Sequence, residues 1–229
     1  MPRVAFFCCS SLCIGLLSGC WQGTSRQVFA TVLSLHGEVV YLSKGSTNFR
    51  GVTPEAKLSA GSILRTSSEA RIDLVLIPGV LAQVSGDSEL KIEELKLTKD
   101  GNETGDAIRE RVARVELRRG GMVIMFEDVA RFTIETRAAT IRLLPSCLLR
   151  LDVDESGTRA MCVRGKFYAT PQDGHIVAVD AGYFREWPSE RGAVFAAEDR
   201  RGQTDTTATL EAARELQELA AAERDRLPF

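Results

Sequence analysis

Histidine is almost absent from this chain: His36 and His175 are the only two in 229 residues. A reaction run by a histidine base would have to use one of them. Both flank turn chemistry, His36 before Gly37 and His175 after Asp173-Gly174. No HExxH pair, Gly-x-Ser-x-Gly elbow or Gly-rich phosphate loop occurs. No CxxC or Cys/His cluster is present, so a zinc site is not expected. An excess of one charge is also lacking. There are 29 Lys and Arg against 31 Asp and Glu, net −2, and the arginines near residues 109–119 are interleaved with Glu110 and Glu116. A nucleic-acid surface needs clustered basic residues, so that partner class is excluded. Seven prolines and 19 glycines are too few for a disordered chain and suit strands and turns. Hydrophobic content of 44% is enough for a core, and the length fits one domain with an appended element.

What is present begins at the N-terminus. Met1-Pro2-Arg3 is a short positive segment, and Val4 to Leu17 is largely apolar. At about fourteen residues this run fits a secretory signal and falls short of the ~20 needed to cross a bilayer. It closes on Leu17-Ser18-Gly19-Cys20, small residues directly before a cysteine, the pattern of a bacterial lipoprotein processing site. Residues 1–19 are expected to be removed and Cys20 to carry the lipid. Trp21 rather than Asp follows it, so the outer membrane is the expected destination, by analogy with enteric bacteria. Residues 20–27 then form a tether that reaches roughly 25 Å at most.

From Val28 the pattern is that of short strands. Ile72, Leu74 and Leu76 share one strand face and Arg71 and Asp73 the other, with Pro78-Gly79 as a turn into Val80 to Ser85. The alternation slips one residue at Glu93-Glu94, which predicts a bulge or bend. Thr98 to Glu110 reads as an exposed loop. Strands return at 113–117, 122–126, 132–134 and 141–143.

A hairpin follows over residues 147–164. A three-residue loop, Glu155-Ser156-Gly157, sets Leu151 opposite Met161 and Leu149 opposite Val163. In that register Cys147 points inward and Cys162 outward, so no disulfide is expected between them. Asp152-Val153-Asp154-Glu155 lies on the hairpin and its tip, and lacks the ligand spacing and central glycine of a calcium loop. Beyond the strands, 189–208 reads as polar linker and 209–227 as an Ala-rich helix with a weak apolar stripe, a surface helix packing on its own domain or partly frayed.

The run from Leu58 to Leu74, with Gly61, Thr66, Ser67-Ser68 and then a strand, resembles the core of the FecR-type periplasmic domain. Pro78-Gly79 stands at that family's turn, and Ser88-Glu89-Leu90-Lys91-Ile92 is similar to its next segment. Val115 to Gly120, Phe132 to Thr136, Val163 to Phe167 and Asp180 to Gly182 extend the likeness over about 28–188. The family's Thr-Pro stands as Thr136-Arg137 and its Gly-Thr as Pro145-Ser146, so the second half is the looser match. The resemblance implies an all-β domain, an antiparallel strand-rich sandwich or short solenoid-like form. It also implies an extracytoplasmic sensing or protein-interaction role. The family's regulators act on a sigma factor through a cytoplasmic segment and a membrane span, neither of which is found in this sequence.

Two functions stay open, neither enzymatic and neither using a cofactor or metal. One is a lipid-anchored module that binds an envelope protein, such as a transporter or a sigma-regulatory component. The other is a peptidoglycan- or glycan-binding module, for which Tyr183 and Trp187 would offer a stacking surface, although packing into the core is the expected use of both. Cys20, as lipidation site, is the one functional residue assigned.

Overall fold

The computed structural model describes residues 24–99, 108–127, 131–189 and 191–223. Residues 1–19, expected as a signal segment, and Cys20 lie outside the described residues. The chain opens with β1 (Thr24–Gln27), β2 (Phe29–His36), β3 (Val39–Leu42), β4 (Arg50–Gly51) and β5 (Leu58–Ser59). Next come β6 (Ile63–Thr66), β7 (Arg71–Ile77), β8 (Val80–Val84), β9 (Glu89–Lys99) and the long β10 (Ile108–Phe126). The second half holds β11 (Arg131–Glu135), β12 (Ala139–Leu143), β13 (Cys147–Val153), β14 (Thr158–Arg164), β15 (Lys166–Pro171), β16 (Val177–Asp180), β17 (Tyr183–Trp187) and β18 (Val194–Phe195). A helix, α1 (Arg200–Ala222), ends the described chain.

Two layers of strands enclose the core, as an all-β sandwich with a C-terminal helix. One layer runs β4-β3-β6-β9-β10-β11-β12-β15-β16, with β1 added along β9. The other runs β2-β7-β8-β10-β13-β14-β17-β18. β10 belongs to both: its first part pairs with β9 and β11, and Gly120 to Phe126 lies between β8 and β13. The stretches expected as two strands, 113–117 and 122–126, are therefore one. The change of layer falls at Gly120, where φ is +91° and an added Cβ would lie 2.1 Å from Ser88 Oγ. Glycine alone fits there.

The same nested unit occurs twice. In the first, β6 pairs with β9 in one layer while β7 and β8 form a hairpin in the other. In the second, β12 pairs with β15 and β13 with β14 in the corresponding layers. The corners also match. A Cβ on Gly86 would meet Ser68 O at 1.9 Å, and one on Gly165 would meet Ser146 O at 2.7 Å.

Between the layers lie the period-2 positions, such as Ile72, Leu74 and Leu76, then Leu90, Ile92, Leu95 and Leu97, and later Ile141, Leu149 and Leu151. The slip expected at Glu93-Glu94 is a bulge: Arg114 pairs with Glu94 and Val115 with Ile92, leaving Glu93 without an opposite residue. β9 reaches Lys99 and β10 starts at Ile108, so the expected loop over 98–110 is shorter at both ends; residues 100–107 lie outside the described residues.

Three further expectations are corrected. Residues 24–27, expected in the tether, are strand β1, paired with Lys96 to Lys99. The expected linker over 189–208 holds β18 and the start of α1, which begins at Arg200 because Asp199 caps it, accepting from Gly202 N at 2.7 Å. Four threonines and Gly202 make this first half a poor intrinsic helix. Thr204, Thr206, Thr207 and Thr209 satisfy their hydroxyls on the carbonyls four residues back, which does not strengthen the helix, so packing on the domain beneath holds it.

The third correction is the β13–β14 register. Val153 pairs with Thr158 and Leu149 with Cys162, one residue away from the expected pairing. The Asp154 carboxylate causes it. It accepts from Ser156 N (2.8 Å), Gly157 N (3.1 Å) and the Ser156 hydroxyl, closing a longer loop over Asp154 to Gly157. A one-residue shift exchanges the faces of a strand. Cys162 therefore turns inward beside Cys147, both fully buried, and Met161 turns out beneath α1.

Candidate functional site

The charged side chains of the second hairpin gather under the N-terminal half of α1. Arg150 and Arg159, on the outer face of β13 and β14, meet Asp205 of the helix at 3.6 Å each. Arg150 also holds Asp152 through two contacts at 3.0 and 3.1 Å. Arg159 is 9% exposed and lies 3.7 Å over the Phe184 ring, bonding Glu186 at 2.9 Å and Asp199 at 3.4 Å. Arg201 closes on Asp205 from the helix itself at 3.6 Å. Burial works against the Arg150 charge, yet Asp152 and Asp205 outweigh it and raise its pKa. Every carboxylate here faces a guanidinium, so the cluster acts as a clamp between helix and sheet. A second tie fixes the far half of the helix: Arg71 grips Glu215 at 2.7 and 3.0 Å and reaches Asp73 at 3.5 Å. Asp73, on the face opposite Ile72, Leu74 and Leu76, is fully buried and accepts from Ser34 and Gln83.

A cleft of about 720 Å³ opens at the tip of the second hairpin. The Asp154–Gly157 loop, Arg137 and the Pro171–Asp173 turn form its sides, with Trp187 and Pro188 at its base. Asp154 is engaged within its own turn, and the Ser156 hydroxyl with the two loop N–H groups lowers its pKa. Among the described residues no group of three His, Cys, Asp or Glu side chains is arranged to hold a metal.

The residues singled out in the sequence are dispersed. His36 ends β2 and His175 follows the 171–174 turn; both are exposed. Tyr183 is 38% exposed and packs on Phe195 at 5.2 Å, whereas Trp187 is 4% exposed and belongs to the core. The two do not form a stacking surface. Cys147 and Cys162 are both free, and Cys162 beside it, with burial, raises the Cys147 pKa and keeps that thiol protonated. The arginine–aspartate clamp escaped the sequence reading because its members come from three elements separated by up to 55 positions; the alternation of Arg150 and Asp152 with apolar residues was its only local trace.

Several strand edges carry one partner only: β1 pairs with β9, β16 with β15 and β18 with β17 among the described residues. Such edges expose hydrogen-bonding backbone that can accept an added strand.

No family model matches the chain, and no curated protein is matched by its sequence. Two crystal structures of a candidate anti-sigma factor from Parabacteroides distasonis are similar in part. They are 11% identical with TM-scores of 0.41 and 0.40, covering 58% of this chain and 57% of that one. The match thus spans little more than half the length of those chains.

Proposed function

We propose that this chain is an envelope lipoprotein, held to the outer membrane by acyl chains on Cys20, whose β-sandwich is a non-catalytic protein-interaction or sensing module. The observation that carries the reading is the Leu17-Ser18-Gly19-Cys20 site followed at Thr24 by the first paired strand. A secretory segment, a lipidation cysteine and a folded domain stand in immediate succession, as a surface-anchored module requires. The FecR-type strand and turn spacing over 28–188 supports an extracytoplasmic interaction role, and the single-partnered edges of β16 and β18 offer backbone for docking. The partner class is an envelope protein, such as a transporter or a sigma-regulatory component.

Metabolic labelling with palmitate tests the anchor. The chain should take up label and Cys20→Ala should abolish it; uptake that survives the substitution sinks the reading. Crosslinking in intact envelopes then tests the interaction role, with a discrete co-purified protein expected.

A further inference from the structure

Three residues separate Cys20 from Thr24, where β1 begins along β9. At about 3.3–3.6 Å per residue, Thr24 lies within roughly 15 Å of an acylated Cys20, and Arg26 within about 20 Å. Because β1 is paired over four positions, that end of the sandwich cannot swing free without losing a strand.

The surface at this end has a composition of its own. Phe29, at the start of β2, is 46% exposed, and Lys57 Nζ stands 5.7 Å from its ring centroid. Arg26 and Lys57 are exposed at the rim of a groove of about 450 Å³, which also holds Val28, Pro54 and Glu55. Lys96 and Lys99 face β1 across the β1–β9 ladder. One acidic side chain, Glu55, lines a groove with two basic ones.

Resting on the Cys20 anchor, we propose that the face bearing Arg26, Phe29 and Lys57 lies against the headgroups of the bilayer that holds the lipid. Basic side chains are drawn to anionic headgroups, and a half-exposed phenylalanine gains by entering the boundary between headgroup and acyl chain. The tether makes this contact intramolecular in effect, so even a weak preference keeps it populated. The short tether and the strand pairing point the same face down whenever the anchor is inserted.

The test uses the full acylated protein in vesicles of phosphatidylethanolamine and phosphatidylglycerol. Nitroxide labels are placed by Phe29→Cys, Lys57→Cys and, as reference, Ile176→Cys, since Ile176 is 72% exposed on the loop before β16. Cys147 and Cys162 are buried and do not compete for label. At 29 and 57 the ratio of oxygen to aqueous-nickel accessibility should rise above that at 176 in vesicles, and equalise in detergent. In the unsubstituted protein, Lys57 should be shielded from a water-soluble acylating reagent in vesicles while Lys166 stays reactive. Equal ratios at all three sites, with the acyl chains confirmed by mass, overturn this face and leave the anchor standing. A mass without acyl chains overturns the anchor itself.

Discussion

In the first nested unit the outer face of the β7–β8 hairpin offers Val75 and Leu81 to the helix; in the second the β13–β14 hairpin offers Arg150, Asp152 and Arg159. The helix is divided to match. Ala212, Ala213 and Leu216 pack into the apolar patch, and Asp205 meets the arginines half a helix away. One topology therefore carries two kinds of contact. The apolar end supplies burial, which is non-directional and tolerates sliding. Ion pairs supply geometry, chiefly Asp205 with Arg150 and Arg159 and, beside the apolar patch, Glu215 with Arg71, and they fix the helix in one register.

Substitutions at the two ends separate these contributions. Leu216→Ala removes a fully buried side chain from the apolar patch and should cost about 2–5 kcal/mol in denaturant unfolding. A loss below the Asp205→Ala value would invert the division of labour. The corners come next. Gly86→Ala places a Cβ 1.9 Å from Ser68 O, and should cost about 3 kcal/mol, the upper part of the overpacking range. Gly165→Ala meets its nearest atom at 2.7 Å but sits at φ +80°, so its cost comes from backbone strain as well as contact. If either is silent by calorimetry, the corners are looser than drawn. Asp205→Ala leaves Arg159 and Arg150 short of one carboxylate, with an expected cost of about 1–3 kcal/mol.

The first residues of β9 and β15, Glu89 and Lys166, occupy equivalent places and carry opposite charge. Glu89 is half-enclosed, which opposes ionisation, but Arg118 and Arg65 bond it at 2.9 and 2.7 Å and lower its pKa below 4.5. Its contribution is present above pH 4.5 and is lost as pH falls through the lowered value. Lys166 is bonded to Asp180 at 2.9 Å, which raises its pKa above 10.5. Its contribution is present below pH 10.5 and is lost as pH climbs through the raised value. Glu89→Gln should flatten the acid limb of the stability curve and leave the alkaline limb intact; Lys166→Met should do the reverse, more weakly because the pair is exposed. A curve unchanged by Glu89→Gln would show the pairing to be idle. The smallest expected effect is a gain: Ser146 sits at φ +62°, so Ser146→Gly should relieve up to about 1 kcal/mol.

Strand faces, the Pro78-Gly79 turn and the bulge at Glu93 were legible in the sequence because each is written in the side chains of a few consecutive residues. The hairpin at 147–164 was legible as a hairpin but not in register. Its register turns on whether the Asp154 carboxylate accepts from its own loop, and period-2 patterning does not encode that choice. The same residue pattern thus served two opposite placements of Cys162. The two faces of β7 were legible too, but not that both are covered: one side faces the core and the other faces α1, and alternation does not encode that.

By itself, then, the amino-acid order determined an all-β domain with a terminal helix, since those depend on local periodicity and turn residues. The union of both layers through β10, the duplication of the nested unit and the docking of α1 were decided only in three dimensions. They depend on hydrogen bonds and ion pairs between residues far apart in the chain, whose partners no local stretch specifies.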